Sequence, residues 1–172
     1  MIKKTLQAFV LFVVLFFSYF ATVSATEKLY TKYVEYQIRK DFSKQVECLA
    51  KNIYYESATE PYEGKLAVAQ VTINRTNNRN FPSDFCSVVY QRDDKVCQFS
   101  WTCMQAYAKH PDEYIWEECM HIANMAMKKT ALHKELAFSN ALYYHATYVT
   151  PGWKNLRAVK RIGSHVLDRK ST

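Results

Sequence analysis

An α+β domain, helical first and closed by a small antiparallel sheet from its later half, is what this 172-residue sequence predicts. Apolar residues recur at helical spacing through three segments, around Val46–Ser57, Leu66–Ile73 and Ile115–Ala126. Segments rich in β-branched and aromatic residues gather later, at 96–101, 141–149 and 157–166. Only three glycines and four prolines occur, too few turn-formers for an all-β chain.

The first 25 residues have the pattern of an export signal. Lys3 and Lys4 precede an apolar run from Ala8 to Phe17, which Tyr19, Phe20 and Ala21 extend, and Val23-Ser24-Ala25 offers small residues for cleavage after Ala25. The run is short for a membrane span of about 20 residues. Cleavage is therefore expected rather than retention as an anchor, and either outcome leaves the remainder outside the membrane, in the periplasm or medium. Membrane association would come only through an uncleaved signal. Removing 25 of 172 residues leaves 147, enough for one domain and too few for two.

Residues 26–42 read as a polar leader, and 43–172 as the domain, expected to be a monomer. Ser43 fits the N-cap of a helix carrying Val46, Leu49, Ala50, Ile53, Tyr54 and Ser57 on one face. Pro61 suits the first turn of a second helix through Leu66, Ala69 and Ile73, with Thr59 or Glu60 as cap. Asn74–Pro82 reads as a polar loop, and Ser83 or Asp84 as the cap of a short helix through Val88 and Tyr90. A charged turn at 92–95 leads into a strand from Val96 to Trp101, and a long helix begins near Pro111. Two strands follow, Ala141–Val149 and Arg157–Val166, with Pro151-Gly152 turning between them.

The chain carries a net charge of +7, and loss of Lys3 and Lys4 leaves it basic. A basic exported protein points to an anionic partner such as cell wall or phospholipid. Its lysines and arginines are dispersed and no nucleic-acid-binding motif occurs, so nucleic acid is not expected as a partner. Five cysteines, Cys48, Cys86, Cys97, Cys103 and Cys119, would form two disulfides in an oxidising compartment and leave one thiol over. Spacing does not select among the pairings. No C-x-x-C or H-E-x-x-H pattern is present, so neither a metal nor another cofactor is expected.

Glu56 lies roughly 80–100° around its helix from the centre of the apolar face. A carboxyl group at that edge is partly desolvated, which favours its protonated form, the state a general acid needs. Position alone does not separate this role from that of a solvated helical glutamate. The string Ile53-Tyr54-Tyr55-Glu56-Ser57-Ala58-Thr59-Glu60-Pro61, continuing through Gly64 to Asn74-Arg75, closely resembles the opening of the SleB/CwlJ-type cell wall hydrolases. Three further stretches resemble the same family: Phe81–Gln91, Cys97-Gln98-Phe99-Ser100-Trp101-Thr102-Cys103, and Ala141–Trp153 with its Tyr144-His145 pair. The tail Ile162-Gly163-Ser164-His165-Val166 is also similar.

The resemblance implies a lysozyme-like, mainly helical α+β fold. It implies cleavage of peptidoglycan glycan strands between N-acetylmuramic acid and N-acetylglucosamine, with Glu56 as the catalytic glutamate. The usual Glu-Ala-Arg-Gly-Glu is Glu56-Ser57-Ala58-Thr59-Glu60 here. Glu60 and Glu63 are the candidates for a second carboxylate, but both also suit helix capping and the helix dipole. That favours a lytic transglycosylase, in which the muramic acid's own hydroxyl attacks, over a hydrolase with paired carboxylates. Gln98, Ser100, Trp101, Tyr144 and His145 are expected to bind substrate, although Trp101 also suits the core and His145 a buried hydrogen bond. The rival functions are an N-acetylmuramoyl-L-alanine amidase and a non-catalytic wall-binding module.

Overall fold

The computed structural model describes residues 2–94, 96–104, 112–128 and 140–170. The chain falls into two compact units, residues 1–41 and 42–172. Helix α1 is Ile2–Ser57, so Ser43 is not an N-cap and residues 26–42 are helical. The sequence explains this: no glycine or proline precedes Pro61, and one serine does not stop a helix. In the first unit Phe9, Phe12, Phe17 and Phe20 are all exposed. This part of the chain is long and apolar enough to cross a membrane by length and composition.

In the second unit the end of α1 packs against α2 (Tyr62–Thr76) and α4 (Glu113–Met127). Leu49 and Ile53 of α1, Val68 and Val71 of α2 and Ile122 of α4 have almost no exposed surface. Each such side chain contributes about 1.5–3 kcal/mol. Helix α2 is the central element, with every residue from Gly64 to Ile73 buried. That burial holds Val71-Thr72-Ile73 helical despite their β-branching. The helix continues past Asn74, where a loop was expected. Asn74 Nδ2 donates to the Ala141 carbonyl at 2.8 Å and Arg75 Nε to that of Leu142 at 2.8 Å, so these polar side chains serve as tertiary ties. Pro61 precedes α2 without any side-chain cap, which corrects the capping role given to Thr59 or Glu60.

Asp84 caps α3 (Phe85–Val89), its carboxylate accepting from the Ser87 amide. A Cys48–Cys86 disulfide binds α3 to α1. Beside it, Gln45 donates to Asp84 and accepts from the Cys86 amide. Strands β1 (Arg92–Asp93) and β2 (Val96–Cys97) form a minimal hairpin. The strand expected through Trp101 ends at Cys97, and Ser100–Cys103 is a 3-10 turn. A disulfide joins Cys97 to Cys103 with their Cα atoms 6.1 Å apart. Six residues of extended strand would separate them by about 20 Å, so the bridge requires the turn. Helix α4 begins at Glu113, capped by Asp112, and buries Cys119, Ile122, Ala123 and Ala126; Pro111 lies outside the described residues.

Strands β3 (Tyr143–Ala146), β4 (Leu156–Ile162) and β5 (His165–Lys170) form an antiparallel sheet in the order β3-β5-β4. The expected strand Arg157–Val166 is thus a hairpin, turning at Gly163-Ser164, and Pro151-Gly152 lies in the crossing from β3 to the outer strand β4. Gly163 has φ +56°, and a Cβ there would collide with the Glu60 carboxylate. That close approach selects the turn. Leu167 and Ala141 pack on Ala67 and Val71, fixing the sheet to α2.

The two disulfides close loops of different length, with sequence separations of 38 and 6. Removing Cys48–Cys86 by paired alanine substitution should lower unfolding free energy by about 3–4 kcal/mol, against about 2 kcal/mol for Cys97–Cys103. Urea denaturation of the non-reduced variants checks the order, and a larger loss from the shorter loop would refute it.

Candidate active site

The site is built from the last turns of α1. Asn52, fully buried, donates through Nδ2 to Thr72 Oγ1 at 3.2 Å and accepts at Oδ1 from the Trp101 indole at 3.2 Å. This one side chain registers α1 against α2 and the 3-10 turn. One helical turn later comes Glu56, on the wall of a cleft of about 470 Å³. Arg75, Gln98, Phe99, Ser100, Tyr143, Tyr144 and Trp153 share that lining with Cys97.

Tyr144 donates its hydroxyl to Glu56 Oε2 at 2.8 Å. Burial raises the Glu56 carboxyl above the ordinary carboxylate range, outweighing the Tyr144 hydrogen bond and the positive charge of Arg75, which both lower it. Burial, with Glu56 opposite, pushes the Tyr144 phenol well above its usual range, so it remains a donor. Behind it His165 stacks edge-on, ring centroids 5.1 Å apart, and burial lowers its basicity.

Arg75 is a buried cation held by an aromatic cage. Its guanidinium lies 5.2 Å from the Phe99 ring centroid, 5.3 Å from that of Phe81 and 5.9 Å from that of Tyr143. Its Nη1 is buried without a hydrogen-bond partner among the described residues. Tyr143 also meets Trp153, ring centroids 5.9 Å apart, giving the cleft an aromatic wall.

The other residues singled out by sequence fall in distinct places. Gln98 and Ser100 line the cleft. Trp101 is buried behind it, its indole N–H committed to Asn52 and its ring 4.6 Å from that of Tyr55. His145 is not in the cleft lining; its Nδ1 pairs with the buried Asp168 Oδ2 at 2.7 Å. Glu60 points away from the cleft to the β4–β5 turn, accepting from the Ser164 amide at 3.0 Å and from the Ser164 hydroxyl. Desolvation would raise its carboxyl, but those Ser164 bonds, helped by His165 and Lys65, hold it below the ordinary range. Glu63 is exposed in the first turn of α2, where its charge suits the helix dipole.

Sequence inspection passed over Asn52, Arg75, Tyr143, Trp153 and Lys65. Lys65 is buried, donates to the Glu60 carbonyl at 2.9 Å and pairs with Glu118 at 2.9 Å. The available signal was a polar residue at helical spacing inside an apolar face, as at Asn52 and Lys65. Among the described residues no group of three His, Cys, Asp or Glu gathers to hold a metal ion.

Comparison with known proteins gives a consistent set of relatives. The family described as Cell Wall Hydrolase matches residues 59–167, beginning just after Glu56. A spore cortex-lytic enzyme of Oceanobacillus iheyensis is 32% identical over 123 residues, covering 70% of this chain and 40% of that protein. The spore cortex-lytic enzyme of Bacillus subtilis is 28% identical over 123 residues, covering 70% of this chain and 36% of that one. The chain spans less than half the length of these relatives. The catalytic domain of Bacillus cereus SleB superposes with a TM-score of 0.55 at 26% identity, over 74% of this chain and 91% of that one. The catalytic domain of the germination-specific lytic transglycosylase SleB from Bacillus anthracis gives 0.57 at 25% identity, over 73% and 93%.

Because the folded Glu56 carboxyl has a raised pKa, its ionisation above that pKa opposes folding. The sign follows: Glu56→Gln should stabilise the protein at neutral and alkaline pH. The gain should shrink as pH falls and vanish below about 4, where the unfolded carboxyl is also protonated. Thermal midpoints of the two proteins between pH 3.5 and 8 measure it. A variant less stable than wild type at pH 8 would contradict the burial argument.

Proposed function

The chain belongs to the cell wall hydrolase family, and from its cleft we propose an exported peptidoglycan glycosidase working as a lytic transglycosylase, with Glu56 as general acid. The observation that carries this is a carboxyl group in an aromatic cleft, where burial favours its protonated form. Among the described residues that line the cleft, Glu56 is the one acidic residue. Glu60 is committed to Ser164 and Glu63 is exposed on α2, outside that lining. The solved relative from Bacillus anthracis is itself described as a lytic transglycosylase.

With Tyr144 on Oε2, Oε1 carries the proton toward the bond between N-acetylmuramic acid and N-acetylglucosamine. Glu56 protonates the glycosidic oxygen as the bond from the muramic C1 breaks, leaving an oxocarbenium-like centre. The muramic C6 hydroxyl attacks C1 and returns its proton to the Glu56 carboxylate, regenerating the acid and forming a 1,6-anhydro sugar. Arg75 stabilises the carboxylate during that interval. Tyr143 and Trp153 offer faces for sugar rings, and Gln98 and Ser100 offer hydrogen bonds to hydroxyl and acetamido groups. His145 acts at one remove, holding β3 through Asp168. An amidase using an activated cysteine gains no support: four cysteines are bonded, and burial pushes the Cys119 thiol up to about 12.

Mass spectrometry of peptidoglycan digested by the exported protein should find anhydro-muropeptide ends. Reducing muramic ends would overturn transglycosylation, and freed stem peptides would overturn glycosidic cleavage. Glu56→Gln should lower turnover at least about a hundredfold while Glu63→Gln retains most of it.

The hydrogen bond from Tyr144 lowers the Glu56 pKa, so Tyr144→Phe lets burial raise it further. The alkaline limb of the kcat/KM profile should then move to higher pH. A shift to lower pH would show that Glu56 does not act in its protonated form.

A further inference from the structure

Beside the cleft lies a second concavity of about 950 Å³, and Gln98 and Tyr143 line both. Its walls differ in character. Arg157, Arg169 and Lys170 contribute positive charge from β4 and β5, and Asn77, Asn78 and Asn80 contribute amides from the end of α2 and beyond. Arg157 and Arg169 stand directly opposite each other across the two strands. Like charges in that relation destabilise a sheet. Neither arginine forms an ion pair with a carboxylate among the described residues, nor does Lys170. The arrangement has the chemistry of a receptor for carboxylates and peptide amides: guanidinium forks match carboxylates, and asparagine amides both donate and accept.

Peptidoglycan presents that chemistry next to its glycan. Each stem peptide leaves the lactyl group of a muramic acid, carrying free carboxylates and amide bonds. We propose that this concavity is a stem-peptide subsite, in which Arg157 and Arg169 hold peptide carboxylates while the muramic acid that bears the peptide occupies the Glu56 cleft. The proposal rests on the glycan-cleaving function of that cleft and adds its specificity: strands carrying acidic peptides are preferred over bare glycan.

The test pairs two substrates, glycan strands with intact peptides and the same strands stripped by an amidase, which keep the lactyl carboxylate. The double variant R157Q/R169Q should raise KM about tenfold on peptide-bearing strands with kcat nearly unchanged, and should leave both constants unchanged on stripped strands. R161Q, which removes an exposed charge from β4 outside the concavity, should leave KM unchanged on both. The double variant should melt no lower than wild type, because the opposed charges are gone. An unchanged KM on peptide-bearing strands overturns the subsite, as does an equal rise on both substrates or an equal effect from R161Q. Wild type that cuts neither substrate would remove the function and the subsite together. Wild type that cuts both, beside an unaffected double variant, would remove the subsite alone.

Discussion

Everything in the cleft depends on the two hydrogen bonds of one buried amide. Asn52 has no contact with solvent, and its two polar ends are met by Thr72 of α2 and the indole of Trp101. An unmet amide in that position costs about 1–3 kcal/mol, so α1, α2 and the 3-10 turn have one favourable registration. Glu56 follows Asn52 by one turn on the same helix and inherits the placement. Tyr55, stacked on Trp101, secures the same stretch of α1 from another side. The Cys97–Cys103 bridge then closes the loop that delivers Gln98 and Ser100 to the cleft rim.

A second fastening joins the helices to the sheet, and it runs through the link between α1 and α2. Lys65 holds the Glu60 carbonyl and the Glu118 carboxylate, while the Glu60 carboxylate holds the Ser164 amide and hydroxyl. The hairpin so anchored carries β5, which pairs with β3 and presents Tyr144 to Glu56. Acid and donor thus come from parts of the chain 88 residues apart, and each is placed by ties that are themselves buried or part-buried. The cleft holds two ionisable groups whose charged forms water would solvate better, Glu56 and Arg75. Burial works against the charged form of both.

The helices were legible because their apolar spacing is the pattern that packs: Leu49, Ile53, Cys119 and Ile122 lie where periodicity placed them. What escaped reading depends on partners remote in sequence. Glu60 looked like a cap because caps are local, whereas its bonds go to a residue 104 positions away. Asn74 and Arg75 looked like the start of a loop because polar residues usually end a buried helix, yet their partners are carbonyls 67 residues on. The strand through Trp101 was plausible by alternation until the bridge between Cys97 and Cys103 is considered, since pairing was open among five cysteines. The sheet order failed for a related reason. Gly163 is one glycine in a strand-like run, and its turn becomes necessary only when the Glu60 carboxylate is seen beside it.

The departure of Glu56-Ser57-Ala58-Thr59-Glu60 from the usual Glu-Ala-Arg-Gly-Glu has a structural answer in the same link. Ser57 is buried, but its hydroxyl donates to the Ile53 carbonyl at 2.6 Å, so a polar atom replaces a methyl without being left unmet. Ala58 is half-buried and Thr59 exposed, and neither lines the cleft. The two acids that bracket the segment point to different tasks. One faces the cleft beside Tyr144 with its proton favoured by burial, and the other stays ionised against Ser164 and fastens the hairpin. The intervening residues need only end α1 and turn the chain toward Pro61, which Ser57-Ala58-Thr59 does with a backbone bond from the Glu60 amide to the Ser57 carbonyl. A motif that looks like a pair of carboxylates is therefore a carboxyl group and its mounting, and variation between them leaves both in place.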